Sequence, residues 1–594
     1  MNGTNRNNMF LAIALSALVI FGWQYFVVSP QMKADQARQA VLAHQEKKQP
    51  QLGAPGAAPG SVPGMAATTV HMSREAALKA GGERVAIDSP LLDGSIALKG
   101  ARLDDLRLKK YRETTDPKSP EIVLLAPKST EYPYYAQFGW IGQHVPTDQT
   151  VWTQAGSGAL SPGHPVTLTW DNGHGLIFTR VVAVDAQYMF SIDDSVVNKS
   201  GQAQTLYPFA YVARESVPKE QTSWVLHQGF VGVANGSETD ANYTDFKEEG
   251  TPPKSFSSTG GWVGITDKYW MAAIIPPQGE TYNGAYLGST LAGDTKAYQA
   301  NYRLGARIIA SGAEAQVTHR LFAGAKVVDI LRGYEKSQNI SRFDNAVDWG
   351  WFWFLTQPLF WLLDIFSKFI GNFGIAILML TVVVKLLFFP LANASFKSMS
   401  RMKKVQPFME EIKKAHKEDP QRQQQEIMAL YKREKVNPLT GCLPMLIQIP
   451  VFFSLYKVLF VTIEMRQAPF YGWIHDLSAP DPTSILNLFG LLPYHIPAFI
   501  PAYLSIGIWP ILMGVTQFVQ TKLNPAPSDP VQAKMFTFMP LIFTFMFATF
   551  PAGLVIYYTW NNLLSVTQQY FIMRREGVEV HLFENLKLGK AKAK

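Results

Sequence analysis

The stretch Phe373–Leu391 reads FGIAILMLTVVVKLLFFPL, and its only charged residue is Lys385. A helix of about 20 apolar residues crosses the roughly 30 Å hydrocarbon layer of a bilayer. This stretch is therefore expected to span a membrane. Further apolar stretches of this kind lie near 442–461, 499–521, 536–550 and 553–573.

Residues 9–28 form a sixth uncharged apolar stretch, and no small-residue cleavage site follows it. This pattern favours an uncleaved transmembrane signal anchor (1–28) over a cleaved signal peptide. Together with a five-helix core (371–573), the anchor predicts a polytopic α-helical membrane protein with six spans. Residues 29–83, rich in Gln, Ala, Pro and Gly, are typical of a linker.

Residues 84–325 have a different character and predict an all-β domain. Short runs of β-branched and aromatic residues alternate there with Gly, Asn, Asp and Pro. Residues 166–184 predict a hairpin whose turn is Asp171–Gly175 (DNGHG). Further strands are expected at Tyr188–Val197 and Tyr269–Ile275. The length suits one large sandwich.

Residues 326–370 connect this domain to the apolar core. Phe343–Phe354 is dense in aromatic residues, and Asp344 and Asp348 would share one face of a helix. We expect an amphipathic helix in the outer membrane interface. The alternative is an aromatic helix that belongs to the core of the β domain.

Composition and charge fit a membrane protein with a defined orientation. Of the 594 residues only 17% are charged, against about 25% in soluble chains. The single Cys442 excludes an intrachain disulfide framework. The loop 392–436 and the tail 574–594 are net positive, whereas the loop 462–498 is net negative. The positive-inside rule then places both termini in the cytoplasm and the β domain outside, in a periplasm.

Lys385 is the leading candidate functional residue. A Lys near a helix centre costs ~2.5–3.5 kcal/mol in a bilayer, so it is expected to face water or protein. Snorkelling to the interface is the alternative. Thr381 lies one turn earlier on the same face. The other spans contribute uncharged polar residues, namely Gln448, Thr516, Gln517, Gln520, Tyr558, Asn561 and Asn562.

These polar residues together predict a wet cavity that is open toward the cytoplasm. The alternative is that each one joins two helices by a hydrogen bond. Neither metal-ligand spacing nor a phosphate-binding loop or nucleophile triad occurs in the sequence. No metal, cofactor or catalytic residue is therefore predicted.

The loop 395–436 predicts an antiparallel helical hairpin with a basic exterior, broken at Lys417–Pro420. It is either a solvated connector or a mobile element that meets substrate, ribosome or targeting factor. Its first helix is marked by apolar residues at helical spacing, Met399, Met402, Val405, Phe408, Met409 and Ile412. The basic tail 574–594 either contacts the ribosome or anionic lipid or is a solvated terminus, and the sequence favours neither alternative.

Several segments resemble the YidC-type membrane protein insertases, in the Gram-negative form with a large periplasmic domain. The resemblance covers essentially the whole chain and is most specific in its second half. The segments are Gly100–Leu106 (GARLDDL), Asn437–Leu439 (NPL), Gly441–Phe453 (GCLPMLIQIPVFF), Phe536–Pro540 (FTFMP) and Phe550–Leu563 (FPAGLVIYYTWNNL).

The resemblance implies a periplasmic β-super-sandwich and a five-helix insertase core in the bacterial inner membrane. It implies an insertase and membrane chaperone for nascent inner-membrane proteins, acting alone or with the Sec translocon through a hydrophilic groove open to cytoplasm and lipid. In the family a cation, commonly Arg, stands at the position of Lys385. Thr381 and Tyr558 fall where substrate helices contact the core. A secondary transporter and a membrane-anchored carbohydrate-active enzyme are the competing interpretations.

Overall fold

The computed structural model describes residues 71–577, except 218–225, 249, 292–294, 418, 435–437, 493, 495, 498 and 525–529. The side chains of residues 420, 438–447, 502 and 530–533 are not described either. The expected anchor (1–28), the linker up to residue 70 and the tail beyond residue 577 lie outside the described residues.

Two antiparallel sheets form the N-terminal domain, with strands numbered in chain order. The first sheet holds β1 Arg84–Asp88, β2 Leu92–Ala97, β3 Arg102–Arg112, β4 Glu121–Leu125, β5 Tyr134–Ile141, β10 Gln204–Glu215, β13 Lys254–Thr259, β16 Thr281–Thr290, β17 Lys296–Leu304 and β18 Arg307–Ile309. The second holds β6 Thr153–Ala155, β7 Val166–Asp171, β8 Leu176–Val184, β9 Met189–Asn198, β11 Gly229–Ala234, β12 Ser237–Asn242, β14 Gly261–Thr266, β15 Trp270–Ile275 and β19 Glu314–Ala325.

The strand order in the first sheet is β1-β2-β3-β5-β10-β17-β16-β13, with β4 beside β3 and β18 beside β10. In the second sheet it is β12-β11-β14-β15-β19-β9-β8-β7-β6. Alternate residues of β8 are buried, as expected for a strand with one face against a core. The domain is therefore all-β and has two layers.

The hairpin predicted at 166–184 is confirmed as β7 and β8, which pair from Val166 opposite Val182 to Asp171 opposite Ile177. The side-chain oxygen of Asn172 accepts hydrogen bonds from the amides of His174 and Leu176. This Asx-type turn chemistry closes the loop.

The prediction of a helix over Phe343–Phe354 is wrong. Phe343–Ala346 is one short 3-10 turn, and Arg342 before it has a left-handed backbone with φ of 49°. Gly350 also has a positive φ of 71°, so a continuous helix cannot form across this segment. Phe343 is fully buried beside Trp262, with ring centroids 5.2 Å apart. The alternative, that this segment belongs to the core of the β domain, holds for Phe343.

Ten α-helices lie within the described residues. They are α1 Arg74–Ala80, α2 Val328–Gln338, α3 Trp353–Ile370, α4 Phe373–Leu387, α5 Phe389–Ala415, α6 Pro420–Arg433, α7 Pro438–Val461, α8 Ile508–Leu523, α9 Pro530–Phe547 and α10 Ala552–Arg575. Helix α3 has an exposed aromatic face that includes Trp353, Trp361 and Phe369.

Several helix boundaries differ from the expected spans, and three of these differences shorten the helix. The span expected at 373–391 ends at Leu387, and the chain bends by 68° into α5. Pro390 accounts for the break, because it lacks an N–H and its ring clashes with the carbonyl one turn earlier. Helix α8 begins at Ile508 rather than at 499, and α9 ends at Phe547 rather than at 550.

The membrane criteria of length and apolar character are met by the bent α4–α5 pair but by no single helix among the described residues. The six-span count therefore stays a prediction.

Helix α10 lies at the centre of the helical region, where it packs against α4, α5, α7 and α8. Its polar residues Asn561, Asn562, Ser565 and Gln569 are buried. The predicted hairpin is confirmed as the distal part of α5 with α6, and it has a small core of its own made by Val405, Met409 and Leu430. Lys397 and Lys404 join the hairpin to Glu576 at the end of α10.

Polar contacts join the β domain to the helices. The Lys457 ammonium of α7 lies 2.5 Å from the Asp348 carboxylate. Arg466 donates to the carbonyl of Arg112 in β3 over 2.5 Å. The Lys268 ammonium lies 4.0 Å from the ring centroid of Phe460, a cation–π distance.

Candidate functional site

Lys385 lies in the last turn of α4, not near the centre of a helix as expected. The 68° bend that ends α4 at Leu387 accounts for this position. Its ammonium donates a 2.7 Å hydrogen bond to the hydroxyl of Ser565 on α10. The Ser565 hydroxyl in turn donates to the carbonyl of Asn561 over 2.8 Å. Among the ion pairs of the described residues, none involves Lys385, so a neutral hydroxyl is the recorded partner of this cation.

Two cavities meet at Lys385. The larger one, of about 390 Å³, lies between α4, α5 and α10 and includes Leu386, Phe571 and Arg575 in its wall. The smaller one, of about 60 Å³, is lined by Lys385, Gln448 and Asn561 together with apolar side chains. We call these two spaces the Lys385 cavities. Their walls are mainly apolar, with polar groups at a few positions.

Of the predicted polar residues, Lys385, Gln448 and Asn561 line the same cavity. Thr381 is buried, and its hydroxyl donates to the carbonyl of Ile377 over 2.7 Å within its own helix. It is not among the residues that line the Lys385 cavities.

Tyr558, Asn562 and Gln517 are not among the residues that line the cavities. The Tyr558 ring packs between Phe452 and Phe547, with both centroid distances 4.9 Å. Asn562 donates to the hydroxyl of Thr516 over 3.4 Å and thus joins α10 to α8, as the helix-joining alternative predicts. Gln517 lies on α8, and its carbonyl accepts from Thr521.

Ser565, Gln568 and Arg575 were missed by sequence reasoning, although they line the cavities or contact Lys385. A signal was present in the sequence. Asn561, Ser565 and Gln569 recur every four residues, which places a polar stripe along one face of α10. All three are buried, and the Gln569 amide donates to Asn524 over 3.1 Å.

The arrangement, a cation with a neutral partner beside a mainly apolar cavity, suits an anionic or polar chain segment. No cluster of three or more metal-ligating side chains occurs in the part of the chain that the structure describes. Arg575 is ten residues beyond Ser565 on α10, about 15 Å along the helix axis. The wall of the larger cavity therefore holds two cations, Lys385 and Arg575, among mainly apolar side chains.

Comparison with known proteins gives two family matches that together cover most of the chain. The family described as "YidC periplasmic domain" matches residues 84–362, and the family described as "60Kd inner membrane protein" matches residues 365–578.

Curated relatives match over nearly their whole length. The chain is 54% identical to the membrane protein insertase YidC of Methylobacterium radiotolerans, over 98% of this chain and 97% of that one. It is 52% identical to the protein of the same name in Methylorubrum extorquens and 51% identical to that of Rhizobium meliloti, each over 98% of both chains.

Solved structures give more distant matches. The crystal structure described as an active YidC insertase with its first transmembrane domain resolved is 19% identical. This match covers 82% of this chain and 93% of that one, with a TM-score of 0.36. A galactose mutarotase-like protein from Lactobacillus casei is 11% identical, over 41% of this chain and all of that one, with a TM-score of 0.28.

Proposed function

Since the chain belongs to the YidC family of inner-membrane proteins, and is thus a membrane protein insertase, we propose that insertion proceeds through the Lys385 cavities. A polar, often acidic, segment of a nascent membrane protein enters them from the cytoplasm. The apolar helix of the substrate then leaves sideways into lipid. This cycle needs no covalent chemistry.

The observation that carries the proposal is the pairing of Lys385 with a hydroxyl rather than a carboxylate. A carboxylate beside the ammonium would cancel its field, whereas a hydroxyl leaves the positive charge available. One charge pair at ~4 Å and an effective dielectric of ~20 interacts by ~4 kcal/mol before desolvation is subtracted. An acidic substrate segment would gain part of this energy.

The cavity walls support lateral release. Leu386 and Phe571 line the larger cavity and are each 65% exposed. Large exposed apolar side chains are typical of a surface that faces lipid or a partner. A substrate helix that leaves the cavity would meet these side chains before the bilayer.

We propose the orientation given by charge, with both termini in the cytoplasm and the β domain in the periplasm. The hairpin formed by α5 and α6, with the basic tail, is then on the side where ribosomes and targeting factors arrive. The Sec translocon is proposed as a partner in the membrane. Site-specific crosslinking from Met428, exposed on α6, to ribosomes carrying nascent chains tests the cytoplasmic part.

The decisive experiment compares Lys385→Arg and Lys385→Ala with two versions of one substrate. One version keeps the Asp and Glu residues of its translocated segment, and the other carries Asn and Gln there. Lys385→Arg should be tolerated because the charge is kept. Lys385→Ala should impair insertion of the acidic version more strongly. Equal sensitivity of both versions would remove the electrostatic role and leave Lys385 as an interface anchor.

A further inference from the structure

A second apolar surface lies far along the chain from the Lys385 cavities, in the segment between α7 and α8. From Pro482 to Thr521 the sequence has no Asp, Glu, Lys or Arg. Within it, residues Ser484–Leu492, here called the tip, expose large apolar side chains. These are Ile485, Leu486, Leu488, Phe489, Leu491 and Leu492, with exposed fractions from 37% for Leu486 and Phe489 to 82% for Leu491.

The base of this segment is firmly fixed. The buried carboxylate of Asp481 accepts hydrogen bonds from the indole of Trp473 over 3.1 Å and from the amide of Trp509 over 2.9 Å. The Thr483 hydroxyl accepts from the amide of Ile508 over 3.0 Å. Asp481 and Thr483 thus cap the N-terminus of α8. The tip is therefore held beside the end of this helix.

The backbone of the tip is largely satisfied by the segment itself. The amide of Ile485 donates to the carbonyl of Ile506 over 2.8 Å. Phe489 donates to the Ser484 carbonyl over 2.6 Å, and the Asn487 side chain accepts from Gly490 over 3.0 Å. The amides of Leu491 and Leu492 also donate within the tip, and the Tyr494 hydroxyl donates to the Leu486 carbonyl.

Leu488 and Phe489 both have left-handed backbones, with φ of 49° and 59°. Non-glycine residues rarely adopt this conformation, and two in succession are held only by surrounding contacts. The result is a tight turn in which most amides are hydrogen-bonded and the large apolar side chains are exposed. A segment that enters a water-poor environment needs this arrangement.

From these observations we propose that the tip is a lipid anchor, which inserts its apolar side chains into the interfacial zone of the outer leaflet. The inference rests on the proposed membrane placement of α7 and α8. The tip lies in the segment that joins these two helices, so their placement determines its depth in the bilayer. A protein partner is the less suitable occupant, since protein interfaces carry a polar, charged rim and this segment has no charged residue over that length.

Spin labels at single cysteines test the anchor in the full chain, reconstituted in liposomes of phosphatidylcholine and phosphatidylglycerol. Cys442→Ala first removes the only native cysteine. Leu491→Cys and Ile485→Cys then report on the tip. Lys199→Cys, exposed in the β domain, is the reference for water, and Ile542→Cys, exposed on α9, is the reference for lipid.

Accessibility to oxygen, which concentrates in lipid, is compared with accessibility to a water-soluble nickel chelate. For both tip labels, the ratio of oxygen accessibility to nickel accessibility should be several-fold above that of Lys199→Cys and close to that of Ile542→Cys. A ratio equal to that of Lys199→Cys overturns the anchor, and low accessibility to both reagents overturns it in favour of a protein contact. If Ile542→Cys itself reports water, the proposed membrane placement fails, and the anchor fails with it.

Discussion

At the scale of single residues, the contact between Lys385 and Ser565 combines position with charge. The hydroxyl fixes the ammonium at 2.7 Å from α10, yet a neutral partner does not reduce its net charge. The adjoining cavities of about 390 and 60 Å³ give a substrate segment access to this charge. Changes at Ser565 can therefore separate the geometry of the site from its electrostatics.

Ser565→Asp should mimic Lys385→Ala, because a carboxylate at this distance would neutralise the ammonium. Ser565→Asn is the matched control, since it adds a side chain of the same size without charge. We expect the Asp variant to insert acidic substrates poorly and the Asn variant to retain most of the activity. Insertion yields of acidic and neutralised versions of one substrate give the measurement. Equal behaviour of the two variants would contradict the electrostatic role.

Burial of His319 in β19 makes the stability of the β domain depend on pH. Its Nδ1 lies 2.6 Å from the Tyr302 hydroxyl, and burial lowers its pKa from 6.5 to about 4. The unfolded chain therefore binds a proton between these values and the folded chain does not. The contribution of His319 to the free energy of unfolding is therefore fully present above pH 6.5 and decreases toward pH 4. The decrease is ~3 kcal/mol at most.

His319→Gln should flatten this part of the pH profile even if it lowers stability throughout. The measurement is the urea midpoint of the β-sheet transition, followed by circular dichroism on the detergent-solubilised chain. An unchanged slope in the variant would assign the pH dependence to other groups.

Sequence reasoning identified Lys385 and Gln448 because a charge or amide in an apolar stretch is conspicuous. It missed Ser565, since serine is common in helices and only the packing of α10 against α4 makes it the partner of Lys385. The part that Tyr558 plays stays a prediction. Its place against Phe452 and Phe547 depends on helix rotation, which the sequence does not define.

At the scale of elements, the β7–β8 hairpin and the α5–α6 hairpin were predicted correctly. Their signals, turn residues and the periodicity of apolar residues, lie within the hairpin segments themselves. The start of α8 was misplaced by several residues. Apolar composition alone does not distinguish this helix from the equally apolar residues 499–507 before it. The prediction for 343–354 was wrong for another reason, since the left-handed backbone of Arg342 has no signal in the sequence such as a glycine.

The helical hairpin is expected to act as a unit in insertion. Leu430 of α6 is only 4% exposed between Val405 and Met409. Leu430→Asp would bury an unpaired charge and unfold the hairpin, whereas Met428→Asp, at a 47% exposed position on the same helix, should not. Limited proteolysis and insertion assays on both variants test this. Normal insertion with an unfolded hairpin would reduce it to a connector.

At the scale of the whole molecule, the β domain and the helices share one hydrophobic cluster, and several polar contacts also join them. Arg466 reaches the Arg112 carbonyl, and Lys268 lies over the Phe460 ring. A further link, between Lys457 and Asp348, lies outside the strands. Removal of the strands therefore leaves this ion pair and the Lys385 cavities in place.

A chain that lacks residues 84–320 should still insert small substrates. The cavity-lining residues all come from residue 382 onward, so the deletion does not touch them. Insertion is measured at equal membrane abundance of the deleted and full chains, with Lys385→Ala in the deleted chain as the negative control. Loss of insertion by a stably produced deletion would show that the β domain takes part directly.

The separate core of the hairpin has a consequence for how such proteins diversify. Val405, Met409 and Leu430 contact one another rather than the main core, so a substitution among them leaves the rest of the chain unstrained. Lineages can therefore remodel this part to suit their own cytoplasmic machinery while the remainder stays unaltered. The hairpin is an exchangeable module, and chimeras that swap it between distant relatives should keep their fold.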